Sequence, residues 1–273
     1  MRILVILTCF NRKEKTKKCV EGLVEGNREH SFTFVVVDDN SADGTGEMLE
    51  SMKPEYDIHI LKGDGKLFYS GGMRKGMDYA LESMEQEYGY LLMVNDDVTF
   101  MDGCISKMIV QSRQQGGAVI VGAMCDAGKA LTYSAVKYTK GIRYRNLDIR
   151  EWNVAADTFN ANGVLIPFEI FRTVGSLDGH YIHSLGDFDY GLSVKGAGYR
   201  IYVSKEYVGI CEKNSMSGGW LDNSLSRKER FKKKESIKGA PMKQWFYFLR
   251  KNFGLAKAVR GGMTPYVRIL IGR

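Results

Sequence analysis

Phe34-Val35-Val36-Val37-Asp38-Asp39-Asn40-Ser41 and Tyr90-Leu91-Leu92-Met93-Val94-Asn95-Asp96-Asp97 are two apolar runs of strand length, each ending in adjacent carboxylates. An apolar run without polar alternation marks a strand covered on both faces, which belongs inside a parallel sheet. The acids then sit at the carboxyl edge of that sheet, where open α/β sheets bind ligands. Two acidic clusters on one edge repel each other unless a cation or a hydrogen-bonding ligand lies between them. The pattern points to a metal-assisted nucleotide site.

On either side of these runs the same alternation continues. Ile3 to Leu7, Ile58 to Leu61 and Ala118 to Val121 are further strand-like runs separated by amphipathic stretches, a βα repeat that predicts a doubly wound, mostly parallel sheet. Met73, Met77, Ala80, Leu81 and Met84 follow Gly71-Gly72 at helical spacing and predict a helix with its methionine face on the sheet. Strand signals thin out beyond Gly128, then return at Gly163 to Pro167 and Tyr199 to Val203. With neither an internal repeat nor a low-complexity linker, both halves are expected to share one sheet.

A chain of 273 residues with 44% hydrophobic content buries a substantial core. Its five cysteines are odd in number, widely spaced and lack a zinc pattern, so reduced thiols and a cytoplasmic setting are expected. Met1 to Leu7 imitates the start of a signal peptide but is short and runs into polar residues, as a first core strand does. No stretch approaches the roughly 20 apolar residues of a membrane-spanning helix. The net charge of +7 conceals an asymmetry: residues 221–273 carry 14 Lys/Arg against 3 Asp/Glu, leaving 25 against 29 for residues 1–220.

Asp38 and Asp39 enter a polar turn, Asn40 to Thr45, that can cap a helix beginning near Gly46. They serve either as turn caps or as acceptors for a pyrimidine imide or a ribose hydroxyl. Asn95-Asp96-Asp97 is either a surface turn or a seat for Mg²⁺ or Mn²⁺ with a diphosphate, since these cations take one or two carboxylates plus phosphate oxygens. Asp97 is the first choice of metal ligand. Gly71 and Gly72 at a helix start would let the backbone approach a diphosphate, with Arg74 pairing to phosphate; a plain tight turn reads the same way.

Taken in order, Thr8-Cys9-Phe10-Asn11-Arg12, Val36 to Thr45 and Asn95-Asp96-Asp97 resemble successive motifs of family 2 glycosyltransferases with the GT-A fold. The resemblance continues through Asn162 to Pro167, Phe171 to Asp178, Gly186-Asp187-Phe188-Asp189-Tyr190-Gly191-Leu192 and Gly196 to Arg200, roughly residues 1 to 215. It implies a Rossmann-like mixed, mostly parallel sheet flanked by helices, and inverting sugar transfer from a UDP, dTDP or GDP sugar to a glycan or lipid-linked glycan. Residues 1–125 would bind the nucleotide-sugar, 126–220 the acceptor, and 221–273 would form a basic, aromatic-rich helical extension. By resemblance, Asp38 binds the base, Asp97 the metal, and Asp187 is the general base, with Thr8, Phe10, Asn11, Arg12, Asp39, Ser41, Asn95 and Asp96 around the nucleotide. Asp189 is the alternative base or an acceptor contact. This reading requires Asp38, Asp97 and Asp187 to share one cleft.

The chain departs from the family pattern at three places. Asn95 interrupts the acidic triplet, Gly186 stands where an acid often precedes the base, and Cys211 stands where relatives often carry a histidine near the metal. A thiolate suits Mg²⁺ poorly, which leaves His183 or His180 as substitutes. Two rivals remain open: a sugar-phosphate nucleotidyltransferase, disfavoured because the first strand does not lead into a glycine-rich phosphate loop, and a catalytically silent glycan-binding protein. In the extension, Arg227 to Lys234 followed by Trp245 to Lys251 suits peripheral contact with an anionic bilayer, which the resemblance, implying bacterial cell-surface polysaccharide assembly, would make the inner face of the plasma membrane. A solvated basic helix or a homo-oligomer contact reads equally well, and no nucleic-acid recognition motif accompanies the charge.

Overall fold

A computed structural model describes residues 1–84, 87–213 and 217–272. The chain opens with β1 (Arg2–Cys9), α1 (Lys13–Glu25), β2 (Ser31–Asp38), α2 (Thr45–Met52), β3 (Asp57–Lys62), α3 (Phe68–Ser83) and β4 (Tyr90–Asn95). β5 (Thr99–Phe100), α4 (Cys104–Gln114) and β6 (Val119–Cys125) follow. Next come β7 (Leu131–Tyr133), β8 (Ala135–Lys140), β9 (Arg143–Asn146), β10 (Thr158–Phe159), β11 (Gly163–Pro167), α5 (Phe168–Val174), α6 (Gly186–Gly196) and β12 (Ile201–Ile210). Four helices close the described chain: α7 (Arg227–Lys234), α8 (Met242–Phe253), α9 (Leu255–Gly262) and α10 (Thr264–Leu270).

The main sheet runs β3-β2-β1-β4-β11-β6-β12-β5, with β7 beside β6, and β8, β9 and β10 form a small second sheet. The first four strands are mutually parallel, while β11 lies antiparallel between β4 and β6. Both halves therefore share one mixed sheet. Register places Cys9 beside Asp38 and Thr8 beside Asn95, so the carboxyl ends of β1, β2 and β4 are flush and their acids meet at one edge. β11 starts at the same edge, because Gly163 pairs with Val94.

Apolar side chains leave both faces of these strands. Val5, Leu7, Phe34, Val36, Leu92 and Val94 join Val20, Leu23, Leu49 and Ile105 on one face; Leu4, Ile6, Val35, Leu91 and Met93 join Met73, Met77 and Phe171 on the other. This two-sided burial is what the uninterrupted apolar runs require. The methionine face of α3 holds for Met73, Met77 and Ala80, whereas Leu81 is 39% exposed and the helix ends at Ser83, before Met84. Gly71 and Gly72 lie inside α3, not ahead of it. A Cβ at Gly72 would collide with Thr8 Oγ1, so glycine lets the helix settle on β1.

The extension differs from the sequence reading in one respect. Its aromatic run faces inward: Phe248 and Leu249 are buried and Trp245, Phe246 and Tyr247 pack around Tyr181, Leu185, Phe188 and Leu192. Polar ties hold it there. Asp178 accepts from Tyr247 Oη and Lys251 Nζ, both at 2.8 Å, and the buried Asp189 accepts from Lys251 Nζ at 2.6 Å and Asn252 Nδ2 at 2.7 Å. Phe248 is thereby buried, while Trp245, Phe246 and Tyr247 stay part-exposed at the margin of this cluster. No helix among the described residues is long and apolar enough to cross a membrane.

Candidate active site

A cleft of about 1560 Å³ opens at the carboxyl edge of the sheet. Thr8, Phe10, Arg12, Asp39, Asn95, Asp96 and Asp97 line one side; His183 and Asp187 line the segment entering α6; residues of the extension, including Lys234, Lys238, Lys257, Arg260 and Arg268, form the remaining wall. Acids thus stand at the sheet edge and cations on the extension.

The acidic turn after β4 is held by an arginine. Arg12 Nη1 donates to Asp96 Oδ1 at 2.8 Å and to Asp97 Oδ2 at 2.9 Å. Burial pushes the Asp96 carboxyl up to about 6, against the pull of Arg12. Asp97 Oδ1 takes a contact from Cys211 Sγ at 3.7 Å, and Asn162 Nδ2 reaches that sulfur at 3.4 Å. Burial, then the Asp97 charge, pushes the Cys211 thiol up to about 12.

The same turn presents oxygens of the kind that seat a divalent cation. Asn95 Oδ1 and Asp96 Oδ2 are buried and lack a hydrogen-bond partner, which is the condition in which hard oxygens accept a cation. No group of three His, Cys, Asp or Glu that could cage an ion occurs among the described residues. Mg²⁺ and Mn²⁺ sites that borrow phosphate oxygens need no such cage. The donor set fits, with Arg12 occupying the counter-charge position.

Of the two aspartates after β2, the cleft receives the second. Asp38 faces the turn before α2: its Oδ1 accepts from Ser41 N at 3.0 Å, and it does not line the cleft. Asp39 does line it, accepting Gly65 N at 2.9 Å and Phe68 N at 3.0 Å. Asn11 and Ser41 also stay outside the cleft, tying the two loops together through Asn11 N to Ser41 Oγ (2.9 Å) and Ala42 N to Asn11 Oδ1 (2.8 Å). Gly71 and Gly72 are buried under α3's packing. The Arg74 guanidinium lies beside Gly179 and its carbonyl accepts from Ser176 Oγ at 3.3 Å; it lines a separate hollow with Leu67 and Lys75, away from the acids.

α6 brings the third acid. Leu185 adopts φ 74°, a left-handed conformation costly for a branched side chain, and Gly186-Asp187 follow at the helix start. A Cβ at 186 would stand 2.5 Å from Ser70 Oγ, which explains the missing acid there: no side chain fits. Burial pushes the Asp187 carboxyl up to about 6, although backbone N–H groups of Phe188 (2.9 Å) and Ala161 (3.3 Å) hold it. His183 lines the cleft as a neutral imidazole, pushed down to about 4 by burial and then by Lys238 and Arg12. Asp189 is turned away: it is buried, also accepts Tyr181 Oη at 3.0 Å, and anchors the extension without lining the cleft. His180 likewise leaves the site, stacked on Tyr247 at 3.8 Å.

Several lining residues carried no sequence signal as such. Tyr138 and Tyr144 come from the β8–β9 hairpin, with Tyr144 packed on Phe188 at 5.2 Å. Phe68, Tyr69 and Asn160 complete the rim. A 56% exposed tyrosine such as Tyr144 marks a contact surface only once the fold puts it over a cleft.

Solved structures with this fold include residues 1–349 of Staphylococcus aureus TarS in complex with UDP-GlcNAc: TM-score 0.58, 13% identity, covering 97% of this chain and 72% of that one. The mannosyltransferase PcManGT from Pyrobaculum calidifontis, in complex with GDP-Man and Mn²⁺, matches with a TM-score of 0.61 and 11% identity over 99% of this chain and 73% of its own. Of the longer S. aureus TarS structure the chain spans only 43%. No curated protein matches the sequence significantly. At these identities the likeness establishes the fold, the GT-A arrangement of a mixed, mainly parallel sheet flanked by helices. The glycosyl transferase family 2 pattern matches residues 4–174, more than half of the sequence, and the chain belongs to that family.

Proposed function

We propose that the protein transfers a sugar, with inversion, from a nucleotide-diphosphate sugar to a hydroxyl of a glycan or lipid-linked glycan in bacterial cell-surface polysaccharide assembly. The observation that carries this reading is the placement of Asp187 and the Asp96-Asp97 turn in one cleft, a candidate base and a candidate diphosphate seat within one volume. Support for the donor class comes from neighbours bound to UDP-GlcNAc and GDP-Man.

Asp39 replaces Asp38 as the acid at the base or ribose, held in place by Gly65 and Phe68. Asn95, Asp96 and Asp97 would hold Mg²⁺ or Mn²⁺, whose charge offsets that gathering on the departing diphosphate. Lys238, on the opposite wall near His183, adds a fixed cation toward the same phosphates. Asp187 takes the proton of the acceptor hydroxyl as its oxygen bonds to the anomeric carbon and the bond to diphosphate breaks. A carboxylate shifted up to about 6 is a stronger base than an ordinary one and is still ionised at neutral pH.

A thermal-shift series with UDP, GDP and dTDP, each with and without Mn²⁺, tests the site. One nucleotide is expected to stabilise the chain in a metal-dependent way, and Asp97→Ala to abolish it. Donor hydrolysis lost in Asp187→Ala then separates an enzyme from a silent binder, and pyrophosphate release from a nucleoside triphosphate would assign the nucleotidyltransferase instead.

A further inference from the structure

α9 and α10 carry their amphipathic pattern the wrong way round for helices docked on a core. Met263 joins them as a one-residue bend with helical dihedrals (φ −78°, ψ −17°), its N–H meeting Gly261 O, and Val267 N donates to Met263 O at 3.0 Å to open α10. Ala258, Gly261, Gly262, Pro265 and Ile269 are buried. Lys257, Arg260, Thr264 and Arg268, spaced by three or four, line the cleft. The third face is apolar and open: Leu255, Val259, Met263, Val267 and Ile271 recur every fourth residue with Leu270 beside them, each 48–61% exposed.

Single exposed apolar residues are ordinary; a contiguous stripe marks an interaction surface. Six of the thirteen large apolar side chains exposed among the described residues fall on this one short stretch. Charge identifies what covers it. From Ser236 to Arg273 there are eight Lys or Arg and no Asp or Glu. Lys243 and Arg250 are exposed on α8, which packs on α9 through Trp245 Nε1 to Gly261 O at 3.2 Å. A second copy would bring the same excess of cations against this one, Glu235 beside Tyr266 being an acid that touches α10, and the charges would repel. An anionic bilayer instead attracts each Lys or Arg near its surface by ~1 kcal/mol and takes the apolar side chains into its headgroup boundary.

We propose that α9 and α10 lie on an anionic lipid bilayer, inserting Leu255, Val259, Met263, Val267, Leu270 and Ile271. The same two helices form the cationic wall of the cleft, so docking sets the cleft mouth at the headgroups. Resting on the transferase reading of that cleft, the orientation selects acceptors carried on lipid.

Flotation of the full chain with vesicles of phosphatidylglycerol and phosphatidylcholine, against phosphatidylcholine alone, tests the docking. The chain is expected to float with the anionic vesicles only, and less so as salt is raised. Replacing Val259, Met263 and Val267 together by serine should weaken binding about tenfold or more, since each loses buried apolar area. Circular dichroism checks that this variant is folded; Lys243→Glu with Arg250→Glu reads the same surface through charge, without touching the stripe. Absence of flotation, or undiminished binding by both variants, overturns the proposal. So does a wild-type dimer in light scattering that the serine variant makes monomeric while vesicle binding is absent, which assigns the stripe to self-association. Vesicle binding is read without sugar transfer, so its failure is distinct from a failure of the transferase reading.

Discussion

The Arg12 guanidinium stands 2.9 Å from the Asp97 carboxylate and 2.8 Å from Asp96, one side chain tying together both acids of the turn after β4. Under the proposed function a divalent cation would compete with this arginine for the same two acids. Arg12→Gln is expected to destabilise the metal-free chain by about 2 kcal/mol, the scale of a hydrogen bond to a charged group. It is also expected to enlarge the Mn²⁺-induced rise in melting temperature over wild type. Differential scanning fluorimetry with and without MnCl₂ measures both; equal Mn²⁺ responses would show that the ion does not visit these carboxylates.

Asp187 sets a pH dependence. Its folded pKa is raised by burial to about 6 from an ordinary 3.8. The folded state therefore holds this proton more tightly than the unfolded chain, and the associated stability is complete below about 4 and is lost as pH rises through 6. Activity has the opposite slope, because only the ionised carboxylate accepts a proton: kcat should climb toward a plateau above pH 6. Asp187→Asn is expected to lower kcat by ~10²–10⁴-fold while melting no lower than wild type at pH 7.5. A variant that loses activity only in proportion to its folded fraction would remove Asp187 from the chemistry.

Asp38 and Asp39 are separable by calorimetry. Asp38→Asn alters a turn-capping acceptor, worth ~1 kcal/mol, and should leave nucleotide affinity within about twofold. Asp39→Ala removes a cleft-lining carboxylate that also holds Gly65 and Phe68, and should weaken nucleotide binding at least about tenfold, some 1.4 kcal/mol. The reverse ranking would restore Asp38 to the base.

The extension is pinned through Lys251, which bridges Asp178 and the buried Asp189. Lys251→Met leaves two carboxylates facing each other without their cation, at a cost of ~3 kcal/mol. Burial raises the Asp178 carboxyl, but hydrogen bonds from Lys251, His180 and Tyr247 outweigh it and hold it well below the ordinary range. Its folded pKa is depressed, so its stabilisation is present above the unfolded value near 3.8 and lost as pH falls below it. Limited proteolysis should clip α7 to α10 selectively in Lys251→Met and in wild type held in acid, with the sheet domain left intact. Uniform digestion of both parts would mean that the extension is not held by this bridge.

How much of this was legible beforehand follows from the range of the forces involved. The strands of β1 to β4, β6 and β11 could be read because two-sided burial demands apolar runs, and each run's end marks its edge. The position of the acids along the chain therefore implied their position on the sheet. The antiparallel insertion of β11 could not be read, since a buried strand looks the same in either direction. Gly186 looked like a weakened motif, and only the approach of Ser70 from α3 shows why no side chain is accommodated there.

Taken alone, the sequence determined the α/β repeat, the family, and which turns carry acids, because these depend on local pattern and on strand covering. Tertiary structure alone decided that Asp39 and not Asp38 enters the cleft, that Asp189 is an anchor, and that Trp245 to Phe248 turn inward while α9 and α10 turn their apolar face outward. Those outcomes rest on which way a side chain points after its strand or helix ends. Partners far along the chain set that direction, as Arg12 and Asp96, 84 positions apart, set each other's.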